Sequence, residues 1–115
     1  MKQNSPGKIK VYERNQIIYI SLTDICYFRA DGNYTHIFLR NGKSYIRSVN
    51  LKCIEKEINS SYFLRCHRSY IINLLEIVDI DFKKNMATQK LCQIPVSQRK
   101  ITELLYKRSA YTINK

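Results

Sequence analysis

Strong turn signals recur at short intervals along this chain and divide it into short segments. The clearest are Asp31-Gly32-Asn33, Asn41-Gly42 and Lys83-Lys84-Asn85. The segments between them are rich in β-branched and aromatic residues, as strands are. Strands that are joined by tight turns pair antiparallel with their neighbours. The sequence therefore predicts a mainly β fold of about nine short antiparallel strands, with a type I′ turn at Asn41-Gly42.

Two stretches depart from the strand pattern and predict helices. Their apolar residues at helical spacing are Leu51, Ile54 and Ile58 in the first stretch and Ile101, Leu104 and Leu105 in the second. Ser48 is the predicted N-cap of a short central helix, and Ser97 is the predicted N-cap of a short C-terminal helix. We therefore expect one helix between two groups of strands and one near the end of the chain.

The charge balance of the chain narrows the range of partners. Twenty Lys and Arg residues stand against nine Asp and Glu in 115 residues, which gives a net charge of +11. Such a field attracts polyanions, nucleic acid first and anionic membranes second. No apolar run approaches the roughly 18 residues that span a bilayer, and residues 1–10 contain no apolar signal segment. We expect a cytoplasmic protein that is not in a membrane.

Catalysis and metal binding are poorly supported by the sequence. The four cysteines, Cys26, Cys53, Cys66 and Cys92, contain no C-x-x-C pair, and such pairs are typical of zinc sites. Cys66 and His67 are neighbours on a predicted strand, where successive side chains point to opposite faces. Acidic residues are sparse and do not form a paired set. We predict no enzyme activity, no metal site and no cofactor.

Three short polar segments interrupt the strand pattern. We call residues 33–36 the first polar segment, residues 67–69 the second and residues 97–100 the third. They hold Arg side chains, whose planar donors match phosphate or guanine, and a predicted helix N-terminus, which favours phosphate. Each alone fits a plain turn, a solvated loop or a helix cap. Together with the charge, they indicate a nucleic-acid-binding protein that uses loops rather than a recognition helix.

Four stretches in order resemble the LytTR DNA-binding domain of bacterial transcriptional regulators. They are DICYFRADGNYTHIFL (24–39), KSYIRSVNLKCIEKEI (43–58), FLRCHRSYIINL (63–74) and IPVSQRKITEL (94–104). The resemblance covers roughly residues 8–106. It implies an elongated stack of small antiparallel β-sheets with short helices, and sequence-specific binding of double-stranded DNA by loops in the major groove. It also implies paired direct repeats as the DNA target.

The resemblance also assigns DNA contacts to individual residues. The implied contacts are Asn33, Tyr34, Thr35 and His36 in the first polar segment, His67, Arg68 and Ser69 in the second, and Ser97, Gln98, Arg99 and Lys100 in the third. Arg68 and Arg99 are the expected main readers of bases or phosphates. Gln98 stands where the family often has Arg, and Lys100 would supply the charge instead. Lys107 and Arg108 would add non-specific attraction.

The expected domain organisation is a single DNA-binding domain at residues 8–108. Residues 1–7 are expected to form a flexible tail or a linker stub, and residues 109–115 a frayed C-terminal tail. Many family members are response regulators in which a receiver domain precedes this module. We therefore expect a receiver or sensor domain that is absent from this chain to be one of its partners.

Two alternative functions fit the same residues. An RNA or single-stranded nucleic-acid module would need exposed aromatic side chains as stacking platforms, and Tyr34 is the best candidate. A redox role for Cys66 would follow if its basic neighbours lowered the pKa of its thiol.

Overall fold

The computed structural model describes residues 7–111. The chain is divided between Ser60 and Ser61 into two compact units. Residues 1–6 of the predicted N-terminal tail and residues 112–115 of the predicted C-terminal tail lie outside the described residues.

Within residues 7–60, the first unit contains five strands and one α-helix. They are β1 (Lys8–Glu13), β2 (Gln16–Ser21), β3 (Ile25–Asp31), β4 (Tyr34–Leu39), β5 (Ser44–Arg47) and α1 (Leu51–Ile58). Strands β1 and β2 form an antiparallel hairpin, and β3, β4 and β5 pair antiparallel in succession. Helix α1 contacts β1, β3 and β4. The core of this unit includes Ile9, Val11, Phe28, Ile37, Leu51, Ile54 and Ile58, all of them buried.

The described part of the second unit, residues 61–111, also contains five strands and one α-helix. They are β6 (Phe63–His67), β7 (Tyr70–Asn73), β8 (Ile77–Asp81), β9 (Met86–Gln89), β10 (Gln93–Pro95) and α2 (Ile101–Ser109). Strands β6 and β7 form an antiparallel hairpin, and β9 pairs antiparallel with both β8 and β10. The core includes Leu64, Ile71, Ile72, Leu74, Ile94 and Leu104. The prediction of a mainly antiparallel β fold with two short helices is therefore confirmed, with ten strands in the described residues.

Both predicted helix starts are wrong by a few residues. The N-cap of α1 is Asn50 rather than Ser48, because the Asn50 side chain accepts a hydrogen bond from the backbone N–H of Cys53. Ser97 does not cap α2 directly. A turn of 3-10 helix at Gln98–Lys100 comes between them, and the Ser97 side chain makes no capping hydrogen bond. The spacing of apolar residues indicated each helix, but only the local backbone geometry decides which residue meets an unpaired N–H.

The predicted type I′ turn at Asn41-Gly42 is also wrong. Gly42 has a φ of 92°, whereas Asn41 is not among the described non-glycine residues with positive φ. Gly42 N–H donates to Leu39 O at 3.0 Å, and Leu39 N–H donates to Lys43 O at 2.9 Å. These bonds define a three-residue loop that ends in a left-handed glycine, the next most common hairpin connection after the two-residue turn.

Candidate nucleic-acid interface

The second polar segment lies at the turn between β6 and β7. His67 and Tyr70 form the last strand pair, so Arg68 and Ser69 alone connect the two strands. The register shifts between Arg65 and His67, which marks a bulge just before the turn. Arg68 is exposed at the tip of this connection. The predicted interruption of the strand is therefore a tight polar turn.

Hydrogen bonds from its own residues hold this turn in one shape. The backbone N–H of Ser69 donates to His67 Nδ1 at 3.0 Å. The Arg65 guanidinium donates from Nε to His67 O at 3.2 Å and from Nη2 to Arg68 O at 2.6 Å. The backbone around Arg68 is thus bonded on both sides, and the Arg68 side chain extends from a fixed base.

The hydrogen bond to His67 also defines the chemistry of its ring. Because Nδ1 accepts from Ser69, the proton of the neutral ring lies on Nε2. Burial, followed by the charges of Arg68 and Arg65, lowers the pKa of His67 below its ordinary value. The ring edge also contacts Tyr70, with 5.7 Å between ring centroids. His67 is therefore held as a neutral hydrogen-bond donor, which suits an acceptor atom on DNA.

The third polar segment lies beside the second. The backbone N–H of Ser97 donates to Cys66 O at 2.8 Å, which joins the strand before one turn to the start of the other. Lys100 N–H donates to Ser97 O at 2.7 Å and closes the 3-10 turn. Gln98 and Arg99 are exposed on this turn. The second unit therefore brings two of the three predicted polar segments together.

Lys100, directly before α2, and Lys107, on α2, are engaged by the carboxylate of Glu103. Glu103 Oε1 lies 3.0 Å from Lys100 Nζ, and Glu103 Oε2 lies 3.6 Å from Lys107 Nζ. The hydrogen bond from Lys100 is the main reason that the pKa of Glu103 is lowered, so Glu103 is ionised at neutral pH. Arg108 donates from Nη2 to Ile77 O at 3.2 Å. Each of the three basic residues that were expected to attract DNA, Lys100, Lys107 and Arg108, therefore has an intramolecular partner.

The first polar segment lies in the first unit, at the hairpin between β3 and β4. Asp31 and Tyr34 form the last pair, and Gly32 and Asn33 connect the strands. Gly32 has a φ of 61°, as the first central residue of a type II′ turn requires. Asn33 is exposed, and Tyr34 is 51% exposed. These two side chains are available for contact with a partner.

The other two residues of the first polar segment, Thr35 and His36, make hydrogen bonds within the protein. Thr35 is fully buried, and its hydroxyl donates to Val49 O at 2.9 Å. His36 Nε2 lies 2.9 Å from Asp31 Oδ2 across the hairpin. The geometry of Thr35 disagrees with the prediction that it contacts DNA. Strand alternation explains the difference, since Thr35 lies on β4 and points toward the core.

Cys66 lacks the properties of a reactive thiol. It is fully buried, and burial raises the pKa of its thiol to about 12. The charges of Lys100 and Arg65 act in the opposite direction but are weaker. The sulfur instead lies 3.6 Å from Pro95 O. The expectation that basic neighbours lower this pKa is wrong, because desolvation of the thiolate outweighs their attraction.

Two residues of the interface were missed by sequence reasoning. Arg65 supports the turn of the second polar segment, and Glu103 holds Lys100 and Lys107. The spacing of Glu103 from its two lysines, three and four residues on a helix, could have indicated those ion pairs. The role of Arg65 depends on the bulge that precedes the turn, and no sequence pattern predicted that bulge.

Other classes of site find little support in the structure. Among residues 7–111, no group of three or more His, Cys, Asp or Glu side chains is arranged to hold a metal ion. In the same part of the chain, no helix is long and apolar enough to cross a membrane.

Comparisons with known proteins agree with this geometry. The family model of the LytTr DNA-binding domain matches residues 15–108. The heme-containing CO-sensing transcriptional regulator RcoM 1 of Paraburkholderia xenovorans is 36% identical over 102 residues, which cover 84% of this chain and 38% of that protein. The transcriptional regulatory protein YpdB of Escherichia coli K12 is 30% identical over 100 residues, which cover 83% of this chain and 41% of that protein.

A solved structure shows the same fold. The LytTr DNA-binding domain of a response regulator from Bacillus cereus superposes with a TM-score of 0.74 at 20% identity, covering 90% of this chain and 97% of that one. The curated relatives are longer, and this chain spans about two fifths of their length. The family model covers most of the chain, and the chain belongs to the LytTr DNA-binding domain family.

Proposed function

We propose that this chain is the module of a bacterial transcriptional regulator that binds double-stranded DNA, and that it reads base pairs with turns in the major groove. The observation that carries the proposal is the presence of two exposed arginines on neighbouring turns. Arg68 and Arg99 lie on turns joined by the Ser97–Cys66 hydrogen bond. Their charge belongs to a chain with a net charge of +11, which favours a polyanionic partner.

The chemistry of the exposed side chains suits the edges of base pairs. An Arg fork donates two hydrogen bonds to O6 and N7 of guanine, the commonest specific contact in the major groove. The Asn33 amide can bind N6 and N7 of adenine in a similar way. His67 Nε2–H, Ser69 and Gln98 would bind phosphates or base edges and fix the register of the protein on the duplex.

The relatives support the wider part of the proposal. Two of them are transcriptional regulators of which this chain matches about two fifths. We propose that this chain serves the same purpose beside a receiver or sensor domain, and that its target is a pair of direct repeats. Because the chromosome of a bacterium lies in the cytoplasm, the proposed function places the protein there.

Selection from a random library of double-stranded DNA at near-physiological salt tests the proposal. Fluorescence anisotropy on the enriched duplex and on a scrambled duplex then compares wild type, Arg68→Ala and Arg99→Ala. We expect each substitution to remove about 1–3 kcal/mol of discrimination between the two duplexes. Lys52→Ala is the charge-matched control, since Lys52 is exposed on α1. Wild-type discrimination in both arginine variants would refute the assignment of these turns.

The exposure of Tyr34 favours a second candidate, a module for RNA or single strands. A half-exposed aromatic ring beside a turn can stack on an unpaired base. Competition between the enriched duplex, either of its single strands and a hairpin RNA separates the two functions. Preferential displacement by the RNA or the single strand, with loss of that preference in Tyr34→Ala, would favour the second.

A further inference from the structure

Arg65 differs from the other arginine at the same turn in the direction of its side chain. It lies on β6 before the turn, and its guanidinium folds over the turn rather than outward. Nε donates to the carbonyl of His67 and Nη2 donates to the carbonyl of Arg68. Arg65 is half-buried, whereas Arg68 is exposed. One arginine therefore binds the backbone of the turn, and the other extends from that backbone.

The turn needs such a donor because of its geometry. The bulge between Arg65 and His67 removes one regular pair from the ladder, and only two residues connect the strands. Arg68 O lies in the connection, outside the strand pairs, and His67 O belongs to the last pair before it. The planar guanidinium of Arg65 can donate to both carbonyls at once in a fixed relative orientation, which the rotatable ammonium of lysine does not provide. Both carbonyls lie within one residue of the Cα atom of Arg68, so they set the direction of its side chain.

We infer that Arg65 is a positioning residue for base reading, which orients Arg68 through the backbone of the turn and does not itself contact DNA. The inference rests on the proposed function, since it requires the second polar segment to contact DNA. The inference gives the two arginines different roles, although they carry the same charge. Arg68 supplies the donors for the base, and Arg65 supplies the rigidity that makes those donors specific.

A double-mutant cycle tests the inference. Arg65→Lys keeps the charge and removes the planar fork, and Arg68→Ala removes the proposed reader. We expect Arg65→Lys to weaken binding of the enriched duplex by about tenfold and to leave the scrambled duplex within about twofold. In the Arg68→Ala background, Arg65→Lys should cause no further loss of discrimination. Additive losses in the cycle would overturn the inference, as would wild-type discrimination in Arg65→Lys.

The salt dependence of binding distinguishes positioning from a direct phosphate contact. If Arg65 neutralised a phosphate, Arg65→Ala would lower the slope of log affinity against log salt by about one. A positioning residue leaves this slope unchanged. Arg29→Lys is the matched control for Arg65→Lys, because Arg29 is also half-buried on a strand but lies over the ring of Phe38. It should bind both duplexes as wild type does.

A measurement on the wild-type protein applies even if the variants fold poorly. The Nε–H resonances of Arg65 and Arg68 are followed by nitrogen-15 NMR as the enriched duplex is added. We expect the Arg68 signal to move and the Arg65 signal to stay. A large shift at Arg65, with little change at Arg68, would reverse the two roles and overturn the inference.

The binding variants separate a failure of the inference from a failure of the proposed function. If Arg68→Ala binds as wild type does, the proposed function of this turn fails, and the positioning role fails with it. If Arg68→Ala loses discrimination between the two duplexes and Arg65→Lys does not, only the positioning role fails.

Discussion

The backbone N–H of Ser97 donates a hydrogen bond of 2.8 Å to the carbonyl oxygen of Cys66. Cys66 directly precedes the second polar segment, and Ser97 is the first residue of the third. The bond therefore fixes the distance between two turns that are far apart in sequence. Arg68 and Arg99, both exposed, each lie two residues from this bond, which is the basis of the proposed interface.

Removing this N–H should separate the two turns. Ser97 has a φ of −62° and a ψ of 139°, which proline adopts without strain. We expect Ser97→Pro to lower the free energy of unfolding by about 1–3 kcal/mol, because the buried Cys66 carbonyl loses its donor. Ser97→Ala keeps the N–H and is the control, with a change within about 0.5 kcal/mol. Urea unfolding measures both, and equal stability of the two variants would show that the bond contributes little.

The carboxylate of Glu103 should limit non-specific binding. It lies between Lys100 and Lys107 and holds both. We expect Glu103→Gln to strengthen binding to enriched and scrambled duplexes by the same factor and to steepen the salt slope by about one, as the lysines become available to phosphates. Anisotropy at several salt concentrations measures the slope. Glu13→Gln makes the same change of charge on β1, and an equal effect there would point to net charge alone.

Acidic pH should destabilise the protein through His67. Its pKa in the folded state lies below its ordinary value of 6.5, so the unfolded chain binds the proton more readily. Stability should therefore fall as the pH drops below about 6.5 and should level off below the folded-state pKa. Protonated Nδ1 also cannot accept the Ser69 N–H.

The substitution His67→Asn isolates this titration. An asparagine oxygen accepts an N–H two residues ahead in the same way but does not titrate. Urea unfolding between pH 5 and pH 8 compares the two proteins. Wild type should lose more stability than His67→Asn as the pH falls, and parallel losses would exclude His67 as the cause.

Thr35 should matter for stability and not for DNA binding. Its buried hydroxyl donates to Val49 O, and Thr35→Val keeps the shape of the side chain but removes the donor. We expect a loss of about 1–3 kcal/mol in the free energy of unfolding, because the carbonyl loses its partner. Affinity for the enriched duplex, measured well below the unfolding midpoint, should be unchanged. A weaker affinity in a stable Thr35→Val protein would restore Thr35 as a contact residue.

The sequence by itself determined the class of fold and the family. Turn signals and β-branched segments act locally, so they indicated short antiparallel strands and two helices without knowledge of the tertiary structure. The polar segments stood out for the same reason, since several polar residues in a row break the alternation of a half-buried strand. Arg68, Arg99 and Asn33 are exposed as a contact residue requires.

Only the tertiary structure decided which side chains face outward and which partners they meet. Thr35 is buried because strand alternation directs it to the core, and the pKa of Cys66 rises because burial outweighs its charged neighbours. The support of the turn by Arg65 depends on a bulge that no local pattern predicted. Burial and hydrogen-bond partners can depend on segments that are distant in the sequence, as the bond between Ser97 and Cys66 shows. Local composition can therefore identify polar segments, whereas packing determines what each of their residues can do.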